Sequence, residues 1–153
     1  MRRSLASVRH VAVALAVLVA FPVAAQFRKP EAAIAYRRGA MTVMSAHFYR
    51  AAAMAYGRVP FDAKAVADNV EIATYLSRLP FAGFVEGSDK GNTEALPKIW
   101  TEMERFRALA AKMQEEMAKL NGLAKGGDIE LIRGQVGVTE KACKTCHDAY
   151  TKE

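Results

Sequence analysis

Only two cysteines and three histidines occur in the 153 residues of this chain. A structural zinc site normally takes four nitrogen or sulfur ligands, and no second Cys/His pair exists to complete one. No convincing stretch alternates apolar and polar residues with the period of two that a strand requires. A βαβ unit, the usual setting of a thioredoxin-like Cys-x-x-Cys dithiol, is therefore missing as well. The chain also lacks a dense Lys/Arg block. Its formal charge is +6, but Arg2, Arg3 and Arg9 crowd the N-terminus, and without them the remainder carries +3. So mild and dispersed a charge gives no reason to expect nucleic acid as a partner. The apolar run from Val11 to Val23, broken by Pro22, is too short and wrongly flanked to span a membrane.

That run has the build of an export signal. Three arginines and no acid precede it, and the small residues Val23-Ala24-Ala25 follow, ahead of Gln26. Residues 1–25 are thus expected to be a cleaved signal peptide delivering the chain to the periplasm. Residues 26–153 are expected to form one domain without a membrane span, large enough to build a core without further staples.

Both cysteines fall near the C-terminus, in Lys141-Ala142-Cys143-Lys144-Thr145-Cys146-His147-Asp148-Ala149-Tyr150. The order Cys-x-x-Cys-His reads as covalent attachment of one haem c per subunit. Each thiol can add to a vinyl group of the porphyrin, and His147 can ligate the iron. On a helix the three residues stand at i, i+3 and i+4 and share one face. A disulfide between the cysteines would close too small a loop to contribute much, and the adjacent histidine favours haem.

From Pro30 onward the spacing predicts four amphipathic helices punctuated by Pro and Gly. Helix A is expected from Pro30 to about Tyr56, before Gly57. Helix B follows Asp62 as N-cap and stops at Leu79, ahead of Pro80. Phe81 to Leu96 reads as a long connection. Helix C starts at Pro97 and ends near Asn121-Gly122, and helix D runs from Asp128 to about Thr151. Helix C carries a narrow stripe, Ile99, Met103, Phe106, Ala110, Met113, Met117 and Leu120, suited to near-parallel bundle packing. The expected fold is all-α, an antiparallel up-down four-helix bundle with haem c in its core against the last helix.

Helix A bears on function. At about 100° per residue, Ile34, Arg37, Met41, Met44, Ser45 and Phe48 share one face. An arginine on an apolar face needs a partner, and a haem propionate is an obvious one, unless Arg37 snorkels from the core edge. Tyr36, Ala40, Val43 and His47 form a second stripe suited to a subunit contact. His47 lies about 120° from Met41, so it is expected at a surface or interface rather than over the iron. Only six residues follow His147, so any sixth iron ligand must come from upstream: Met41 or Met44 first, then Met54, Met103, Met113 or Met117. Methionine is also a frequent core filler. Periodicity leaves a methionine-ligated, six-coordinate iron and an open five-coordinate one as alternatives.

Taken together these motifs resemble cytochrome c', the class II c-type cytochromes, over essentially all of residues 26–153. The resemblance is carried by Gln26-Phe27-Arg28-Lys29-Pro30-Glu31, by Tyr36-Arg37-Arg38-x-x-Met41-Thr42-x-Met44 with His47-Phe48, by Leu79-Pro80-Phe81-Ala82-x-Phe84, by Pro97-x-Ile99-Trp100, and by the haem motif itself. It implies a five-coordinate, high-spin iron with His147 as proximal ligand. Arg37 and Arg38 would lie on the propionate side, and Met41 would crowd the distal site. Glu94 matches a loop position that approaches the haem edge, while Phe81, Phe84 and Trp100 would be aromatic packing. It also implies a homodimer through helices A and B. One departure stands out: many relatives carry a basic residue four positions after the haem histidine, where this chain has Thr151.

The function these features imply is a periplasmic haem protein that binds nitric oxide and carbon monoxide, with capacity for electron transfer to a redox partner protein. The alternative is a low-spin electron carrier with Met41 or Met44 as sixth ligand. No distal histidine or clear acid–base residue suggests peroxidase chemistry, so an enzyme is not expected.

Overall fold

The computed structural model describes residues 26–152; the expected signal peptide, residues 1–25, lies outside them. Four long helices form the body: α1 (Pro30–Ala55), α2 (Ala63–Leu76), α4 (Met103–Gly126) and α5 (Ile129–Tyr150), with a short α3 (Lys98–Thr101) ahead of α4. Pro30 opens α1, where its missing N–H would have had no partner anyway. Asp62 caps α2 by accepting from the Ala65 N–H, and Asp128 caps α5 by accepting from Glu130 and Leu131.

Contacts between neighbours fix the directions. Thr74 and Ser77 of the α2 end meet Met117 and Gln114, while Glu71 meets Lys125 further along α4. Arg133 Nε donates to Ala55 O and Tyr56 Oη to Glu140, so the end of α1 meets the first half of α5. The α1–α2 and α4–α5 pairs are joined by short turns. Each long helix therefore runs antiparallel to its two neighbours, an up-down four-helix bundle as expected.

Two apolar clusters fill it. The larger joins Met44, Phe48, Val66, Val70, Met113, Met117, Leu120, Ile132 and Val136 from all four helices. The smaller, at the far end, gathers Ala95, Ile99, Phe106 and Tyr150. Glu116 locks α4 to α5: it is buried, accepts from Gln135 Nε2 at 2.8 Å, and is flanked by Lys112 at 2.6 Å and Lys119 at 3.2 Å.

Three boundaries differ from the sequence expectation. Helix B ends at Leu76 rather than Leu79, because the Pro80 ring conflicts with the carbonyl four residues back. The chain tightens there into a 3₁₀ helix, Leu79–Gly83. Helix C is not continuous: it breaks at Glu102 (φ −117°, ψ 33°), whose carboxylate accepts from Tyr150 Oη at 2.9 Å. Nor does it stop at Gly122. It runs on to Gly126 and ends where Gly127 takes φ +73°, a left-handed conformation that glycine adopts without strain. Packing of Leu120 and Ala124 in the core outweighs the roughly 1 kcal/mol that a mid-helix glycine costs.

Candidate functional site

Between α5, α1, the 3₁₀ segment and α4 lies a mainly apolar cavity of about 350 Å³. Helix α5 contributes Cys143, Cys146 and His147 to its wall, as their i, i+3, i+4 spacing dictates. Both cysteines are free thiols, and both are partly buried. Burial, with a smaller push from Cys146, raises the Cys143 thiol to about 11, and burial raises Cys146 as well. Thiols held protonated at neutral pH make a poor exposed redox dithiol. Among the described residues, no group of three or more His, Cys, Asp or Glu is arranged to hold a metal ion by itself. Two thiols and an imidazole on one face of an apolar cavity suit a porphyrin edge and its iron.

Helix α1 supplies Arg37, Arg38, Met41 and Met44 to the same cavity. Of the six methionines considered as ligands, Met41, Met44 and Met113 line it. Met54 and Met117 belong to the larger core, and Met103 lines a neighbouring cavity instead. His47 is absent from the lining. Its ring faces α2, with Nδ1 2.8 Å from Asn69 Oδ1.

Arg37 is 3% exposed, and a protein partner meets its charge. Nη1 donates to Gly83 O and Ser88 Oγ, both at 2.8 Å, and Nη2 to Ser88 O and Thr93 Oγ1, both at 2.7 Å. The guanidinium also stacks 4.5 Å from the centroid of Phe84. Burial lowers its pKa, yet these four acceptors hold the charge in place. Arg37 thus clamps the connection after α2, and Trp100 Nε1 fastens the same loop through Val85 O. Arg38, by contrast, is exposed at the cavity and donates to Asn92 O at 3.1 Å.

The clamped loop returns to the haem motif. Ala95 pairs with Thr151 as an isolated antiparallel bridge, Leu96 N donates to Tyr150 O, and Lys152 N donates to Glu94 O. Glu94 and Thr151 both line the cavity, with the Glu94 side chain exposed. Phe81 and Phe84 line it as expected, while Trp100 stands behind Phe84 at 6.2 Å. Thr93, Ala95 and Tyr150 also line it, and sequence analysis gave them no site role. Tyr150 stands four residues after Cys146 on the same helix, so helical spacing makes its place legible. Thr93 and Ala95 lie in a loop without periodicity.

A cytochrome C' family profile matches residues 32–151. The chain belongs to the cytochrome c' family. It is 45% identical to the cytochrome c' of Rubrivivax gelatinosus over 129 residues, covering 84% of this chain and all of that one. The crystal structure of that protein superposes with a TM-score of 0.80 over 83% of this chain and 100% of its own. A nitric oxide complex of a mutant cytochrome c prime from Alcaligenes xylosoxidans superposes with a TM-score of 0.79 at 38% identity, covering 84% of this chain and 99% of that one. As in the cytochrome c' family generally, haem c is attached covalently. The cavity wall fits this, since its only thiols belong to the Cys-x-x-Cys-His turn.

Proposed function

We propose that this cytochrome c' is a periplasmic, non-enzymatic haem protein whose iron is five-coordinate and high-spin and binds nitric oxide or carbon monoxide. Cys143 and Cys146 hold the haem and His147 ligates the iron, which supplies a ligand-binding and one-electron redox centre. The observation that carries the proposal is Met41, a half-buried thioether in the cavity wall on α1. A side chain there crowds the site without the geometry of a dedicated hydrogen-bond donor, which favours small uncharged ligands over those needing a polar pocket. The nitric oxide complexes among similar solved structures support the same ligand class.

Arg38 and Glu94, both exposed at the cavity, take the haem edge in this reading, with Arg38 toward the propionates. Arg37 shapes that side through the loop, since its Nη donors are already committed. Val43, Ile72 and Tyr75 leave apolar surface exposed on α1 and α2, which supports a homodimer through those helices. Export rests on residues 1–25, and among the described residues no helix is long and apolar enough to cross a membrane.

The ferrous optical spectrum tests the proposal. A broad, unsplit high-spin band with ready carbon monoxide binding is expected, and Met41→Ala should speed ligand association while leaving the resting spectrum unchanged. Sharp α and β bands without added ligand, lost in Met41→Ala or Met44→Ala, would establish the methionine-ligated electron carrier instead.

A further inference from the structure

A second cavity of about 220 Å³ adjoins the haem cavity and shares Phe81, Phe84, Phe106 and Ala110 with it as a common wall. Its outer lining is Met103, Arg107, Ala111 and Gln114, so it opens between α4 and the 3₁₀ segment. Arg107 and Ala111 are exposed there. We infer that this cavity is the route by which small uncharged diatomic molecules reach the iron, with the Phe81 ring as its gate. The inference rests on the gas-binding function proposed above.

A porphyrin held by Cys143 and Cys146 would occupy the main cavity, whose lining includes Arg38 and Glu94. A small ligand then needs a passage that does not run past the haem itself. The second cavity supplies one, and its inner wall of Phe81, Phe84, Phe106 and Ala110 is apolar, which imposes little desolvation penalty on an uncharged molecule.

The three rings of the common wall are not equally held. Phe84 lies beneath the Arg37 guanidinium at 4.5 Å and against Phe106 at 4.7 Å. Phe106 is 4% exposed and meets the Tyr150 ring edge-on at 5.4 Å. Phe81, half-buried like Phe84, has its nearest aromatic neighbours at 5.7 and 6.1 Å, and among the described residues no cation lies over it. It also packs against both apolar clusters. Of the three, Phe81 has the most distant ring neighbours, so its turning disturbs the fewest close aromatic contacts. At the outer end, Met103 and Gln114 are flexible side chains, and Met103 directly follows the helix break at Glu102.

The test measures carbon monoxide association with the ferrous holoprotein by flash photolysis, together with xenon binding in pressurised crystals. Ala111→Trp, placed on the exposed face at the cavity mouth, should leave the optical spectrum unchanged. It should slow association about tenfold and remove xenon from the second cavity. Phe81→Ala should speed association while xenon stays bound. Xenon displaced by Ala111→Trp with no change in rate overturns the route, and so does a second cavity that never takes xenon. Wild-type protein that takes up no carbon monoxide overturns the gas-binding function itself, a distinct result.

Discussion

Replacing Arg37 by methionine would expose how much of the haem crevice depends on one buried charge. The substitution keeps an unbranched apolar side chain of similar reach but removes all four donors. Ser88 O then loses its only side-chain donor, and Thr93 Oγ1 loses a 2.7 Å partner. Gly83 O keeps only the weaker 3.3 Å contact from Ser88 Oγ, which itself still donates to Val85 O at 2.7 Å. Each buried acceptor left bare costs about 1–3 kcal/mol. Part of this is recovered because a charge no longer has to be desolvated. A net loss of about 3–4 kcal/mol follows from the two or three acceptors affected. For a domain of this size that corresponds to a Tm lower by roughly 10–15 °C. Urea unfolding of the holoprotein, followed by far-UV circular dichroism, should show a lower midpoint with an unchanged slope. Arg37→Lys should recover little, since one ammonium cannot reach both ends of the loop. A double-mutant cycle with Ser88→Ala isolates the clamp, and a coupling of about 1 kcal/mol or more is expected for directly bonded partners. A destabilisation below about 1 kcal/mol, or no coupling to Ser88, would refute the clamp and return Arg37 to a purely haem-facing role.

Two further outcomes follow from the packing around the site. Gly83 approaches α1 so closely that an added Cβ would stand 2.6 Å from Ala33 O and 2.9 Å from Arg37 Cβ. Gly83→Ala should therefore destabilise by about 1–3 kcal/mol, whereas Gly122→Ala, which meets nothing within 4 Å, should be stabilising in the same urea assay. Glu116 gives a pH dependence. Hydrogen bonds from Lys112, Gln135 and Lys119 lower its pKa from the ordinary 4.5 to about 2. A depressed folded-state pKa contributes stability above 4.5 that disappears as pH falls toward 2. The difference in Tm between wild type and Glu116→Gln should accordingly shrink over that interval; a constant difference would show that the carboxylate charge is not what α4 and α5 share.

How much was legible beforehand depended on how local each feature is. The shared cavity-facing placement of Cys143, Cys146 and His147 could be read outright, because they are neighbours on one helix and their common face follows from helical geometry alone. The starts of α1, α2 and α5 were legible for the same reason: Pro30 fixes its own φ at the first helical position, and Asp62 and Asp128 accept from N–H groups within a few residues. The stripe along α4 likewise reported which face meets the core, since Phe106, Ala110, Met113, Met117 and Leu120 are all buried. Local rules failed where a distant partner overrode them. Gly122 carries a stop signal that core packing overruled, and the break at Glu102 coincides with a hydrogen bond from Tyr150.

The same division runs through the site. Sequence by itself located the Cys-x-x-Cys-His motif on the last helix and named six methionines as candidates for an opposing ligand. Tertiary structure decided the rest. It reduced six methionines to three that line the cavity, turned His47 toward Asn69, and gave Arg37 its acceptors in Gly83, Ser88 and Thr93, 46 to 56 residues away. A side chain's own helix sets only the direction in which it points. What it meets there is set by how the other helices and the crossover pack against that face, and no local spacing encodes this.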